Sequence, residues 1–122
     1  MVRLDHLSLP VREWQALRDW YRDRLGFEVE FEILERKTAA MRDNADLTVF
    51  LYEADVAACQ GISFTIQVDD VDAKHAELHG AGIAFVHPPM QVFWGYGAEL
   101  KDPDGYILRL WDPKSMAEKG AG

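Results

Sequence analysis

Apolar residues recur at every second position in several stretches of the first half of the chain, and one stretch between them has a helical period. The alternating stretches predict strands over Leu4–Leu9, Phe27–Leu34, Lys37–Arg42 and Leu47–Tyr52. Apolar residues spaced for one helix face predict a helix over Glu13–Leu25 that ends at Gly26. We expect Pro10 to close the first strand.

The second half of the chain repeats this order of elements. It predicts a strand over Ile62–Val68, a helix over Val71–His79, and strands over Ile83–His87, Tyr96–Lys101 and Tyr106–Trp111. We expect Pro88-Pro89 to stop the first of these three later strands, and the last two form a hairpin around the turn signature Asp102-Pro103-Asp104-Gly105. The small and charged residues 112–122 are expected to fray.

The two halves also align residue by residue. The segment 39–43, Ala-Ala-Met-Arg-Asp, matches 98–102, Ala-Glu-Leu-Lys-Asp, at an offset of 59 positions. A repeat of this size predicts tandem βαβββ modules in one α+β domain over residues 1–122. The expected division is module one over 1–53, a linker over 54–61, module two over 62–111 and a tail over 112–122.

Charge and cysteine content narrow the classes of partner. The chain has 13 Lys and Arg against 21 Asp and Glu, a formal net charge of −8, which argues against nucleic acid or an anionic membrane as a partner. A single cysteine, Cys59, excludes an internal disulfide and favours a cytoplasmic location. No signal peptide or membrane span is expected.

Four segments in order resemble the vicinal oxygen chelate superfamily, which includes glyoxalase I, extradiol dioxygenases and bleomycin-resistance proteins. They are Asp5-His6-Leu7-Ser8-Leu9, the run from Trp20 to Phe27, Val68-Asp69-Asp70-Val71, and the Asp-Pro-Asp-Gly turn. The resemblance covers Leu4 to Trp111. It implies paired βαβββ modules that curve a mixed sheet around a cavity, and a homodimer.

The resemblance also implies four strand positions that hold a divalent ion in the metalloenzymes of the superfamily. Carried over, these positions are His6, Phe50, Ser63 and Arg109. Only His6 is a suitable ligand, because Phe has no donor atom, Ser is a weak neutral ligand and Arg repels a cation. We therefore expect no metal and no cofactor, and a character closest to the metal-free bleomycin-resistance-like branch.

Arg109 is the strongest candidate for a ligand contact. It lies between Ile107 and Trp111 on one strand face, where a guanidinium can bind a carboxylate or phosphate through two parallel hydrogen bonds. The alternative is an internal salt bridge with Glu99 or Glu53. If Arg109 binds ligand, Arg109→Ala should weaken acidic ligands selectively.

Strand alternation places further side chains on the same inner faces as Arg109, and Trp94 and Tyr96 enter the hairpin that carries it. This predicted ligand-binding set combines flat apolar walls with a few hydroxyl groups. It consists of His6, Ser8, Thr48, Phe50, Tyr52, Ser63, Thr65, Trp94, Tyr96, Arg109 and Trp111.

The remaining candidates for chemistry have simpler interpretations. His75 and His79 are spaced i,i+4 on the second helix without a carboxylate on the same face, so we interpret them as surface residues. His87 and Cys59 have no evident partner or base in the sequence. The stripe residues Trp14 and Tyr21 are typical of a helix core.

Three functions are compatible with these patterns. The first is a metal-independent protein that sequesters an aromatic or cationic small molecule, which would give antibiotic resistance by lowering the concentration of free drug. The second is a metal-dependent lyase, isomerase or dioxygenase with a relocated site, using His6 with Glu99 or Glu53. The third is a metal-free isomerase with His6 as general base and Arg109 as an electrostatic clamp. In the first function no residue is catalytic.

Overall fold

The structure is a computed structural model, and it describes residues 1–55 and 62–120. The chain forms two compact units, Met1–Ala58 and Cys59–Gly122. Most of the predicted linker and Cys59 lie outside the described residues. No helix in the described part is long and apolar enough to cross a membrane.

The first unit contains one helix and a four-stranded mixed sheet. Its elements are β1 (His6–Val11), α1 (Trp14–Leu25), β2 (Glu28–Ile33), a 3-10 turn (Leu34–Arg36), β3 (Thr38–Arg42) and β4 (Thr48–Glu53). The strand order is β1-β4-β3-β2, with β1 and β4 parallel and the other neighbours antiparallel.

The second unit repeats this topology and adds a helix. Its elements are β5 (Ser63–Gln67), α2 (Val71–Gly80), β6 (Phe85–Val92), β7 (Gly95–Lys101), β8 (Ile107–Trp111) and α3 (Pro113–Lys119). The strand order is β5-β8-β7-β6, again with one parallel pair, β5 and β8. The predicted α+β fold with two βαβββ series is confirmed.

The strand registers show the repeat in three dimensions. Phe50 of β4 lies between Ser8 of β1 and Ala40 of β3. Arg109 of β8 lies between Thr65 of β5 and Glu99 of β7. Phe50 and Arg109 therefore occupy equivalent central positions in the two sheets.

In the first unit, one sheet face is buried because α1 is amphipathic. One face of α1 carries three buried residues spaced about one helical turn apart: Trp14, Leu17 and Tyr21. They share the core with two buried sheet residues, Val11 and Leu51. The helix ends at Gly26, whose φ of 77° is left-handed and suits glycine. The opposite sheet face is not covered by this helix, so its alternate residues are available for other contacts.

Both predicted proline stops were wrong. Pro10 lies inside β1, and β6 continues through Pro88-Pro89 to Val92. β1 and β6 are the edge strands of their sheets. Proline has no N–H group, but on the open side of an edge strand there is no neighbouring strand to accept a hydrogen bond, so none is lost. The register of β6 against β7 also shifts between His87 and Met90, around the two prolines.

The strict alternation predicted for β2 was also wrong. A register shift between Val29 and Phe31 places one extra residue in this strand. Phe31 pairs with Ala40, in line with Phe50, and its side chain is 45% exposed. Glu32 consequently faces α1, where Arg18 binds it at 2.8 Å.

The residues after Trp111 were expected to fray, but they form α3. Asp112 is buried and caps this helix, since its Oδ1 accepts a hydrogen bond from the Ser115 N–H at 2.7 Å. Its Oδ2 accepts another from the Val71 N–H at 2.8 Å, so one carboxylate joins the starts of α2 and α3. Burial by itself would raise the pKa of Asp112, but the hydrogen bonds from Ser115 and Val71 outweigh it and lower the pKa.

Asp112→Asn should reduce the free energy of unfolding by about 2 kcal/mol, because the amide can satisfy only one of the two buried N–H groups and carries no charge. Chemical denaturation followed by circular dichroism measures this. Asp70→Asn is the matched control: Asp70 caps α2 through the Ala73 N–H and is exposed, and Asn caps helices equally well.

The effect of Asp112→Asn should depend on pH in one direction. The folded-state pKa of Asp112 is lowered, so its contribution is complete above the unfolded value of about 4 and disappears as the pH falls through the folded value. The difference in stability between wild type and variant should therefore shrink in acid. A difference that is constant or grows below pH 4 would contradict this role.

Candidate functional site

The uncovered sheet face of the first unit carries a cluster of aromatic rings. His6, Ser8, Thr48, Phe50 and Tyr52 share this face, because His6 pairs with Thr48 and Ser8 with Phe50. The Phe50 ring contacts His6 edge-on at a centroid distance of 5.1 Å. Phe31, brought to this face by the bulge, contacts Phe50 at 5.7 Å.

Carboxylates border this aromatic face. Glu30 accepts a hydrogen bond from the Thr48 hydroxyl at 2.9 Å. Glu28 pairs with Arg42 at 3.0 Å, and Asp5 lies 3.0 Å from the Nδ1 of His6. The face therefore combines ring surfaces with a border of mainly negative charge.

The equivalent face of the second unit is built around Arg109. Ser63, Thr65, Ile107 and Trp111 share the face with it, as strand pairing and alternation predict. The Nε of Arg109 donates a hydrogen bond to Oε1 of Glu99 at 3.1 Å. Of the two proposed internal salt bridges, the one with Glu99 is therefore present, whereas Glu53 binds Lys37 at 3.2 Å.

Two aromatic side chains flank the Arg109 guanidinium. Phe93 and Trp94 form the two-residue turn between β6 and β7, and the guanidinium carbon lies 5.7 Å from the centroid of each ring. The Trp94 Nε1–H also donates to Oε1 of Glu99 at 3.3 Å. One carboxylate oxygen thus binds both the indole and the guanidinium.

His87 lies at the border of this cluster, although the sequence showed no partner for it. Its Nδ1–H donates to the carbonyl oxygen of Pro88 at 2.8 Å. His87 pairs with Glu99 across β6 and β7, and its Nε2 lies 3.8 Å from Oε1 of Glu99. The position of His87 follows from β6 continuing past the prolines.

Tyr96 belongs to the predicted ligand-binding set, but it does not share a sheet face with Arg109. Alternation along β7 puts Glu99 beside Arg109 and turns Tyr96 to the opposite face. There its hydroxyl donates to Asp72 at 2.8 Å and Lys119 lies 5.1 Å from its ring centroid. Desolvation and this hydrogen bond raise the pKa of Tyr96. Lys119 also donates a hydrogen bond to Asp72 at 2.9 Å, and this bond lowers the pKa of Asp72.

His75 and His79 stack on each other along α2. Their rings are nearly parallel with centroids 5.6 Å apart, and His75 also contacts Phe85 at 4.6 Å. No group of three or more His, Cys, Asp or Glu side chains within residues 1–55 and 62–120 is arranged to hold a metal ion.

Residues 3–110 match the family model described as the Glyoxalase/Bleomycin resistance protein/Dioxygenase superfamily. The chain belongs to this superfamily. No curated protein matches its sequence.

Solved structures of similar fold carry different functional names. A possible glyoxalase from Bacillus cereus has a TM-score of 0.77 and 20% identity, covering 90% of this chain and 98% of the other. TnmS3, an antibiotic binding protein from Streptomyces sp. CB03234, has a TM-score of 0.73 and 24% identity, covering 93% and 97%. A lactoylglutathione lyase from Agrobacterium tumefaciens has a TM-score of 0.74 and 18% identity, covering 93% and 96%. At these identities the likeness shows a shared glyoxalase-type fold.

The positions that would carry metal ligands in this superfamily do not fit a divalent ion in this chain. Phe50 offers a ring edge that packs between His6 and Phe31. Arg109 brings a cation that is held in place by Glu99 and two aromatic rings. A hard or borderline ion needs oxygen or imidazole ligands, which neither position supplies.

Three residues of the two faces were not placed by the sequence. Alternation along the second strand groups Phe31 with the residues of the covered face, because a bulge leaves no mark in the pattern of apolar and acidic residues. The same alternation groups Glu30 with the exposed residues, and Glu30 binds Thr48. Phe93 is 90% exposed, in a turn that exists because β6 continues past the two prolines.

Gly97→Ala should displace the Trp94 ring and break its hydrogen bond with Glu99. A Cβ atom at Gly97 would collide with the Trp94 ring and with the Leu110 carbonyl oxygen. We expect a loss of about 1–3 kcal/mol in unfolding free energy, together with a shifted Trp94 indole N–H signal in the NMR spectrum. Gly80→Ala is the control, because nothing lies within 4 Å of its added Cβ. An unchanged indole signal in Gly97→Ala would contradict the packing of Trp94 on this glycine.

Proposed function

We propose that this protein is a metal-independent binding protein that sequesters an aromatic or cationic organic molecule, with antibiotic resistance as one outcome of such sequestration. The observation that carries the proposal is the pair of equivalent positions Phe50 and Arg109. Each position takes part in an aromatic cluster and offers no metal ligand.

The aromatic clusters support a flat organic ligand. Phe50 contacts His6 and Phe31 edge-on, which leaves ring surfaces on an uncovered sheet face. In the second unit, the rings of Phe93 and Trp94 lie beside the Arg109 guanidinium. Aromatic side chains contribute large contact areas and stack with planar ligands at about 0.5–1.5 kcal/mol per pair.

The charge pattern supports a cationic ligand at the face of the first unit. Glu30 and Asp5 border the rings of that face, and Glu28 is paired with Arg42. The chain has a formal net charge of −8. A cation stacked on Phe50 would gain both from the ring quadrupole and from these carboxylates.

The superfamily supports a binding function without deciding it, because its neighbours include both an antibiotic binding protein and a lyase. We propose a homodimer, as the superfamily resemblance implies. A cytoplasmic location and a single folding domain are further parts of the proposal.

Phe50→Leu should weaken aromatic ligands about 3- to 10-fold, because leucine keeps the apolar volume but removes the ring. The measurement is intrinsic tryptophan fluorescence during titration with a panel of aromatic antibiotics and carboxylated metabolites, in the presence of a chelator. Phe64→Leu is the matched control, because Phe64 packs on Tyr106 on the opposite face of its sheet.

The proposal is supported if at least one panel compound binds saturably and Phe50→Leu weakens that binding while Phe64→Leu does not. Absence of binding across the panel, or binding that appears only after a divalent metal is added, would reject it.

A further inference from the structure

The ion pair between Arg109 and Glu99 uses only one atom of each group. Arginine–carboxylate pairs often form two parallel hydrogen bonds, but here a single bond joins Nε to Oε1. The same Oε1 also accepts the indole N–H of Trp94. Two donors therefore converge on one carboxylate oxygen.

This arrangement leaves one acceptor and several donors unused. Within the part of the chain that the structure describes, neither Oε2 of Glu99 nor the terminal nitrogens of Arg109 has a hydrogen-bond partner. No side-chain nitrogen or oxygen atom in the described residues is both buried and without a partner. Each of these free atoms therefore keeps some solvent-accessible surface. The side chains are 14% and 29% exposed, which places these atoms in a shallow and largely enclosed position.

The surroundings of these free atoms favour a flat ligand. Phe93 and Trp94 flank the guanidinium, and Trp94 is held by its hydrogen bond to Glu99 and by its packing on Gly97. A planar ring that extends these aromatic surfaces would bring its edge to the free atoms of Glu99 and Arg109.

We propose that this cluster binds a neutral planar heterocycle whose edge carries an N–H beside a C=O, as in a lactam or a cyclic imide. The ligand N–H donates to Oε2 of Glu99, and the ligand carbonyl oxygen accepts from a terminal nitrogen of Arg109. The inference rests on the proposed binding function and assigns a ligand class to the face of the second unit.

The charge balance explains why the ligand of this face is neutral. Arg109 is already paired with Glu99, so an anionic ligand would gain from the guanidinium but meet the adjacent carboxylate. A cation would gain from the carboxylate and meet the guanidinium. A neutral edge with one donor and one acceptor satisfies both groups.

The test compares 2-quinolinone with N-methyl-2-quinolinone. The two probes share ring and carbonyl. The methyl group removes the N–H donor and adds its own volume at that edge, and the Glu99→Gln variant separates these two effects. Binding is followed by NMR through the indole N–H signal of Trp94. We expect the lactam to bind at least about tenfold more tightly, since loss of one hydrogen bond to a charged group is worth about that factor.

Glu99→Gln provides the second arm. The two donors that converge on Oε1 would hold the amide oxygen there, so the amide NH₂ would take the place of Oε2 and present donors instead of an acceptor. The preference for the lactam over its N-methyl analogue should then fall at least several-fold, to what the volume of the methyl group alone contributes. Glu32→Gln is the matched control, because Glu32 is also paired with an arginine, Arg18, but faces α1 in the other unit.

The outcomes separate this inference from the proposed function. A lactam preference that is lost in Glu99→Gln and kept in Glu32→Gln supports it. Equal binding of the two probes to the wild-type protein overturns it while leaving the proposed function intact, and it does so even if Glu99→Gln fails to fold. Failure of both probes to bind, with other aromatic compounds binding, overturns the inference alone. Failure of every aromatic compound overturns both.

Discussion

The constraint on which the first unit depends is that a four-stranded sheet with one amphipathic helix buries one face only. α1 covers one face through Trp14, Leu17 and Tyr21. Period-two alternation then sends every other strand residue to the uncovered face. The side chains of the uncovered face can therefore vary without changing the residues of the hydrophobic core. The second unit repeats the same strand order.

The two uncovered faces differ in chemistry at equivalent positions. In the first unit Phe50 is surrounded by rings and bordered by carboxylates. In the second unit Arg109 is neutralised by Glu99 and flanked by Phe93 and Trp94. Neither Phe50 nor Arg109 offers a metal ligand, and both make aromatic or hydrogen-bonding contacts instead. This replacement is the physical basis of the proposed metal-independent binding.

The sequence predicted the element order, the repeat and the fold, because periodicity and turn residues are local signals. It also placed Phe50, Thr48, Arg109 and Thr65 on their faces. It failed where the pairing between strands decides which face a residue occupies or where a strand ends. The bulge moves Phe31 to the other face, and the edge position of β6 tolerates Pro88. The register of β7 places Tyr96 on the face opposite Arg109. The helix α3 was missed although Asp112-Pro113 is a local signal for a helix start. The sequence does not show the second contact of Asp112, with Val71 41 residues away.

Metal content tests the central claim most directly. The protein is purified without added metal or chelator, and its manganese, iron, cobalt, nickel and zinc are measured by mass spectrometry, in wild type and in His6→Ala. Because Phe50 and Arg109 supply no ligand, both proteins should contain well under one equivalent per chain. One equivalent of a divalent metal per wild-type chain that disappears in His6→Ala would contradict the account.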